Sequence, residues 1–307
     1  IISAPDVYSI YDVPVNFEKE NFGPTLLKTI GLPARQKDLA DWTALAEKIR
    51  KIKKEVRVGI VGKYFNFKSC KDTYISVIES IQHAAWALDF KPEVLWLDSE
   101  KYEKNPKLLS ELDDLDGILV PGGFGKRGTE GMMLAADYAH RKKIPYFGLC
   151  FGMQILTIAY ARNVLGFPDA NSAEMNMETK YPVIATMADQ VDKIKNKNYG
   201  ATMRLGAYPC VLKKGSIAEI AYGKKEISER HRHRYEVNPK YVAELEKAGL
   251  VFSGCSPDGV LMEIAELPKN IHPFYLGVQF HPEFKSRPLA PHPLFTAFIQ
   301  ACIAKKK

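Results

Sequence analysis

The chain has 307 residues, 46% of them hydrophobic and 26% charged, which are ordinary proportions for one large or two small globular domains. Its formal net charge is +7, and this mild excess comes without a zinc-finger or RNA-binding signature, so we expect no nucleic-acid partner. No run approaches about 18 consecutive apolar residues and no basic leader opens the chain, so we expect neither a membrane span nor a signal peptide.

The first predicted element is a connecting helix within residues 37–54. Its apolar residues recur at helical spacing, namely Leu39, Trp42, Leu45, Ile49 and Ile52. Asp38 is a plausible N-cap of this helix. Residues 1–36 show no clear periodicity, so we expect irregular structure there. Because the chain begins without Met, we expect it to be a piece of a longer protein.

From residue 56 onward, apolar β-branched runs alternate with segments of helical periodicity. The predicted strands are 56–62, 92–97, 116–123 and 144–150, and the predicted helices are 71–88, 129–143 and 151–163. This alternation predicts an α/β fold, with a doubly wound, mostly parallel sheet flanked by helices. Ligands of such sheets bind beyond the carboxyl ends of the strands. The second half has extra β-rich segments, interrupted by a predicted helix at 239–249 and a polar surface loop at 188–200.

The five cysteines are widely and irregularly spaced and contain no CxxC pair. They predict neither a zinc site nor a disulfide framework, and they fit a reducing cytoplasm. The histidines of RHRHR (230–234) are candidate metal ligands, because alternate residues of a strand share a face, which would place His231, His233 and Tyr235 together. The interleaved arginines disfavour a cation, so we predict no metal.

Cys150 stands between two glycines, in Gly148-Leu149-Cys150-Phe151-Gly152, at a predicted turn from strand to helix. This is the nucleophile-elbow pattern, better known with serine. Glycines allow the backbone to pass closely at such a turn, and a helix N-terminus favours the thiolate. The alternative is a buried structural cysteine with glycines that serve packing.

His281 and Glu283 are the predicted partners of this cysteine. They occur in GVQFHPEF, after a β-branched and aromatic run, so His281 is expected at a strand end. Residues i and i+2 of an extended chain point to the same side, and a carboxylate beside an imidazole fixes its tautomer. The alternative is an ordinary surface turn at His-Pro.

The glycine-rich stretch PGGFG (121–125) follows another predicted strand. Its backbone N–H groups, with that of Phe151, are candidates for an oxyanion hole. A phosphate loop is the competing interpretation, but Gly125-Lys126 is followed by Arg127 rather than by Ser or Thr. A plain turn remains the other alternative.

Taken together, PGGFGKRGTEGM, GLCFGMQ and GVQFHPEF resemble the class I (triad) glutamine amidotransferases, whose fold is flavodoxin-like. ANSAEMN and ERHRHRYEVN are similar, more narrowly, to the glutaminase domain of the CTP synthase family. The resemblance covers about residues 55–300. It implies an amidotransferase domain at 55–307, and it implies that residues 1–54 are the end of a synthetase domain plus a linker helix.

The resemblance also implies roles for individual residues. Cys150 would be the nucleophile, His281 the base and Glu283 its orienter, with the amides of Gly123 and Phe151 holding the oxyanion. The implied glutamine site consists of Gly123, Phe151, Gly152, Met153, Gln154, Glu174 and Arg234. A lid at 188–206 would include Arg204, which would bear on activation by GTP. Asp6 and Val7 would lie at the edge of an ATP site.

The implied activity is hydrolysis of L-glutamine to glutamate and ammonia, which needs no cofactor. In the full-length enzyme, implied to be a cytoplasmic homotetramer, the ammonia would aminate UTP to CTP with ATP and Mg²⁺, and GTP would be the allosteric activator. The alternatives are another triad amidotransferase, a non-catalytic regulatory or filament module on the same fold, and a cysteine peptidase.

Overall fold

The computed structural model describes residues 2–63, 72–186 and 203–306. The α-helices of these residues are α1 (Val13–Lys19), α2 (Phe22–Thr29), α3 (Ala40–Lys51), α4 (Ile75–Ala87), α5 (Ser99–Lys104), α6 (Thr129–Lys142), α7 (Phe151–Asn163), α8 (Ile217–Tyr222), α9 (Pro239–Lys247) and α10 (Pro293–Lys305). The strands are β1 (Glu55–Gly62), β2 (Lys91–Asp98), β3 (Gly117–Val120), β4 (Tyr146–Leu149), β5 (Ala170–Ser172), β6 (Tyr181–Thr186), β7 (Arg204–Leu212), β8 (Glu226–His233), β9 (Tyr235–Val237), β10 (Val251–Cys255), β11 (Met262–Glu266) and β12 (Tyr275–Val278).

A nine-stranded sheet, in the order β2-β1-β3-β4-β12-β11-β10-β7-β8, organises the molecule. The five strands from β2 to β12 are parallel to one another. The remaining strands, β11, β10, β7 and β8, continue the sheet by antiparallel pairing. A small sheet, β5-β6-β9, lies apart from it. The predicted α/β fold with additional β structure in the second half is therefore confirmed.

The central parallel strands β3, β4 and β12 are buried on both faces, as their continuous apolar runs predict, whereas the edge strand β2 is only partly buried. Successive residues of β3 show this, because Ile118 joins the core that contains α6 and α7, whereas Leu119 joins the core that contains α4 and α10. Helices on both faces force the connections to run over the ends of the strands. The loops after β3, β4 and β12 consequently meet at one edge of the sheet.

The N-terminal segment contains helices that the sequence did not reveal. Irregular structure was expected over residues 1–36, but α1 and α2 occupy much of this segment. Pro14 lies in the first turn of α1, where its missing N–H costs no helical hydrogen bond. Both helices are short and bury little, so no sustained apolar spacing marks them in the sequence.

The predicted connecting helix is present as α3, and it docks the N-terminal segment onto the main domain. Tyr11 stacks on Trp42 with ring centroids 5.7 Å apart, and it meets Trp86 of α4 edge-on at 4.9 Å. Asp38 is not the N-cap residue, because the helix begins one residue later and Leu39 holds that position. Its carboxylate still accepts a hydrogen bond from the amide of Ala40 at 3.3 Å.

Among the described residues, no helix is long and apolar enough to span a membrane. Cys150, Cys210, Cys255 and Cys302 are free thiols, and Cys70 lies outside the described residues.

Candidate active site

Cys150 occupies a strained turn between β4 and α7. Its backbone angles are φ +48° and ψ −94°, which residues other than glycine rarely adopt. The amide of Cys150 donates to the carbonyl oxygen of Val278 at 2.6 Å, which ties the turn to the end of β12. The predicted strand-to-helix turn is thus present, with the thiol at the N-terminus of a 13-residue helix.

The glycines around this turn serve close packing of backbone on backbone. A Cβ added to Gly152 would lie 2.1 Å from the carbonyl oxygen of Val120 in β3. A Cβ added to Gly148 would lie 2.5 Å from the carbonyl carbon of Gly152. Real Cβ atoms do not approach so closely, so α7 can start against β3 only if both positions lack a side chain.

The structure brings His281 and Glu283 together beside Cys150. His281 follows β12, which pairs with β4, and its amide donates to the carbonyl oxygen of Arg230 at 2.7 Å. The expected extended geometry is wrong in detail, because Pro282–Phe284 form a 3-10 turn. The turn nevertheless places the Glu283 Oε1 atom 2.8 Å from the His281 Nδ1 atom.

The electrostatics of this pair favour a charged imidazole. Burial alone would lower the pKa of His281, but its interactions with Cys150 and Glu283 outweigh burial and raise the pKa to about 10. Both interactions favour the protonated form of the ring, with Glu283 as its counter-ion. This is the arrangement that stabilises a thiolate.

The PGGFG loop covers the cysteine and the histidine. A Cβ on Gly122 would lie 2.9 Å from the His281 Cε1 atom and 3.9 Å from the Cys150 Cβ atom, so the backbone passes directly over both. The adjacent Gly123 packs against the ring of Phe151. Amides of the first helical turn have no intrahelical acceptor, which leaves that of Phe151 available. The two predicted oxyanion donors therefore flank the same space.

Lys63, at the end of β1, supports this loop and was not predicted as a site residue. The residue is only 4% exposed, and its ammonium group donates to the carbonyl oxygens of Phe124 and Gly125 and lies 5.4 Å from the centroid of the Phe151 ring. Burial lowers the pKa of Lys63, and the charge of Glu174 raises it.

The predicted glutamine-binding residues gather around the same opening. Glu174 accepts a hydrogen bond from the amide of Gly125 at 3.2 Å. Burial raises the pKa of Glu174, while that hydrogen bond and the charges of Lys63 and Arg234 lower it, so both cations lie close to this carboxyl. The Gln154 Nε2 atom donates to the carbonyl oxygen of Tyr235 at 2.9 Å. A carboxylate, a guanidinium and a carboxamide thus surround the elbow.

Three predicted site residues belong to other parts of the chain. Arg204 begins β7 and is buried, where it forms an ion pair with Glu263 and stacks over the ring of Tyr208 at 4.4 Å. Residues 188–200 of the expected lid lie outside the described residues. Asp6 and Val7 belong to the N-terminal segment before α1. The roles expected of Arg204 in activation and of Asp6 and Val7 at an ATP site remain predictions.

The buried histidines of β8 form a cluster with Glu263. Ligand-type atoms of His231, His233 and Glu263 lie within 4.8 Å of one another. Because Arg204 already neutralises Glu263, a further cation would be repelled there. Tyr235 was expected to share their face, and this was wrong, since the chain bends at Arg234 and Tyr235 begins β9 in the small sheet.

Replacing His233 with asparagine is expected to make the stability of the protein less sensitive to acid. Burial, followed by the charge of Arg204, lowers the pKa of His233 to about 3, against about 6.5 in an unfolded chain. Below about pH 6.5, His233 is protonated in the unfolded chain but stays neutral in the folded protein. The stability present above that pH is therefore lost as the pH falls towards 3. The free energy of unfolding should therefore depend less steeply on pH in the variant, by about 1.4 kcal/mol per pH unit.

Urea unfolding midpoints at pH 7, 6 and 5 would measure this difference. His272, whose pKa burial lowers to about 4, gives a matched control, because His272→Asn should flatten the slope similarly from outside the site. Parallel slopes for wild type and His233→Asn would contradict the prediction.

Gln279 is a further residue in contact with Cys150 that the sequence analysis overlooked. It is fully buried, and its Nε2 atom donates to the Cys150 Sγ atom at 3.6 Å. A signal was available, because Gln279 precedes His281 by two residues in GVQFHPEF. The spacing that relates His281 to Glu283 applies equally to this pair.

Comparisons with known proteins agree with this geometry. Residues 69–301 match the family model described as glutamine amidotransferase class-I. A CTP synthase of Rhodococcus jostii (strain RHA1) is 48% identical over 306 residues, which are 99% of this chain and 51% of that relative. A CTP synthase of Clostridium kluyveri is also 48% identical, over 100% of this chain and 55% of the relative.

The chain spans about half the length of the curated relatives it matches. A solved structure described as the glutaminase domain of Trypanosoma brucei CTPS with bound acivicin is 40% identical, with a TM-score of 0.75, and the match covers 81% of this chain and 94% of that one. The chain therefore belongs to the class I glutamine amidotransferases and, among them, to the glutaminase domains of the CTP synthase family.

Proposed function

We propose that this chain hydrolyses L-glutamine to glutamate and ammonia by means of Cys150, His281 and Glu283. One observation carries the proposal: a strained cysteine at a helix N-terminus lies beside a histidine that a carboxylate holds. A structural cysteine would need neither the unfavourable backbone nor the buried charge pair.

The reaction would proceed in two halves. The Cys150 thiolate attacks the side-chain amide carbon of glutamine, and the amides of Gly123 and Phe151 stabilise the oxyanion. His281 gives its proton to the departing nitrogen, which leaves as ammonia. The acyl group remains on Cys150 as a thioester. Water then attacks the thioester while His281 accepts a proton, and glutamate is released with the thiolate restored.

The polar groups around the elbow suit the other end of glutamine. Glu174 provides a half-buried carboxylate for the α-ammonium group, and Arg234 provides a positive charge for the α-carboxylate. Gln154 adds a carboxamide whose buried Oε1 atom accepts no hydrogen bond among the described residues. The backbone of Gly152 and Met153 completes this wall, at the first turn of α7.

In the longer protein, the ammonia would be transferred to a synthetase domain that aminates UTP to CTP with ATP and Mg²⁺. Residues 1–54 would be the end of that domain and its linker helix, with Asp6 and Val7 at the ATP edge. GTP would activate the glutaminase through the lid and Arg204. The assembly would be a cytoplasmic homotetramer.

Acivicin, a glutamine analogue that alkylates thiolates, tests the site directly. We expect covalent labelling at Cys150, located by peptide mass spectrometry, and protection by millimolar L-glutamine. Cys255, a partly exposed thiol outside the site, provides an internal control that glutamine should not protect. Labelling that glutamine fails to slow, or that favours Cys255, would argue for a non-catalytic module.

A further inference from the structure

The sulfur of Cys150 has a neighbour besides His281. Gln279 directly follows β12 and precedes the catalytic histidine by two residues. Its backbone amide donates to the carbonyl oxygen of Glu263 at 2.8 Å. Its side chain is therefore directed by a fixed backbone and reaches the Cys150 Sγ atom at 3.6 Å. Which end of the carboxamide faces the sulfur decides whether it stabilises or destabilises a thiolate.

The contacts of Gln154 determine that orientation. The carbonyl oxygen of Tyr235 can only accept, so the atom of Gln154 that lies 2.9 Å from it is the NH₂ group. The same NH₂ group lies 3.4 Å from the nearer side-chain atom of Gln279, which must then be an acceptor, the Oε1 atom. The NH₂ group of Gln279 is consequently the end that faces Cys150.

A buried histidine pair holds the carbonyl group on which this orientation depends. His233 Nδ1 lies 3.2 Å from the carbonyl oxygen of Tyr235 and must carry a proton to bond with it. Burial keeps His233 neutral, so its Nε2 atom is an acceptor. The Nδ1 atom of His231, 3.0 Å away, must therefore donate to it. These contacts assign the ring proton to Nδ1 in both His231 and His233.

We propose that Gln279 is a further catalytic residue whose NH₂ group stabilises the Cys150 thiolate, and that His231 and His233 are positioning residues that fix its orientation through Tyr235 and Gln154. The proposal rests on the proposed role of Cys150 as nucleophile. Hydrogen bonding to the charged form lowers the pKa of a thiol. Without this donor, the sulfur would depend on His281 and the helix N-terminus alone.

The pH dependence of Cys150 alkylation by iodoacetamide tests the proposal without using glutamine. Mass spectrometry would follow the Cys150 peptide from pH 5 to 10 in the full chain, with Cys150→Ser as the blank. Gln279→Leu removes the donor, and Gln279→Glu replaces it with an acceptor of nearly equal size. Each variant should raise the pH of half-maximal Cys150 alkylation by about one unit or more, because a hydrogen bond to a charged group is lost.

Two histidine variants separate positioning from a merely structural role. His233→Leu should shift the midpoint in the same direction, whereas His233→Asn keeps a donor near the Nδ1 position and should return it towards wild type. Gln300→Leu, an exposed change on α10, controls for the substitution itself. Should Gln279→Leu not fold, Gln279→Glu decides the matter.

A wild-type midpoint in Gln279→Glu would overturn the proposal, as would equal shifts in His233→Asn and His233→Leu. The proposed glutaminase function fails separately, if the wild-type protein shows the alkylation profile but releases no glutamate from glutamine.

Discussion

Replacing Cys150 with alanine is expected to abolish glutamine-dependent glutamate release, with a loss of about 10⁴-fold or more. The thioester cannot form without the sulfur, and His281 and the oxyanion amides are then left to a direct attack by water. A glutamate dehydrogenase assay under saturating glutamine would measure the loss, with ammonia quantified in parallel. Because the catalytic groups act as a unit, His281→Ala should cost a similar factor rather than an additional one.

Two further variants make this result specific. Cys150→Ser keeps the volume of the side chain but replaces a thiolate with a far weaker nucleophile, so it should be almost as inactive. Cys255→Ala removes a thiol whose pKa burial raises and which lies on β10, outside the site, so it should retain activity. Glutamate release by Cys150→Ala at the wild-type rate would refute the proposed chemistry.

The parallel half of the fold could be predicted because its physical determinants are local. Strands buried on both faces need unbroken apolar runs, and 56–62, 116–123 and 144–150 supply them. The boundaries of α7, 151–163, agree with the prediction residue for residue. Here the turn chemistry at Gly152 and the helical periodicity point to the same start.

Other elements depend on contacts that no short window of sequence contains. The helix α10 was not predicted, because its buried residues, including Phe295, Phe298 and Cys302, face β strands and α4 far away in the chain. The break between β8 and β9 at Arg234 was also missed, since RHRHRYEV alternates as one strand would. That bend is what separates His233 from Tyr235 and turns the latter's carbonyl oxygen towards Gln154.

The same contrast between local and distant contacts separates the pair His281 and Glu283 from the hydrogen-bond network that joins His231 to Cys150. His281 and Glu283 are close in sequence, so their spacing alone indicates a pair. The link from His231 to Cys150 crosses three separate segments, so each member resembles an ordinary core residue when taken alone. Arg204 illustrates the converse, because its place in a motif suggested an accessible effector contact, while the register of β7 on β8 buries it opposite His233.

Introducing a single methyl group at Gly152 is expected to disable the site. In Gly152→Ala the new Cβ would overlap the Val120 carbonyl oxygen at 2.1 Å, and this oxygen belongs to the backbone of β3 and cannot rotate away. The N-terminus of α7 must then retreat, which we expect to cost about 3 kcal/mol of stability. A displacement of about 1 Å at the elbow should also reduce glutamine hydrolysis by about 10²-fold or more.

Gly23→Ala is the matched control, because Gly23 is likewise the second residue of a helix, and an added Cβ there meets no atom within 4 Å. That change should leave activity intact and the unfolding midpoint equal or slightly higher, since alanine restricts the unfolded chain. Urea unfolding and glutamate release, measured on both variants, separate the two effects of Gly152→Ala. If Gly152→Ala were as stable and as active as Gly23→Ala, the glycines around Cys150 would not be needed for close packing. The strained backbone of this turn would then depend on the conformation of Cys150 alone.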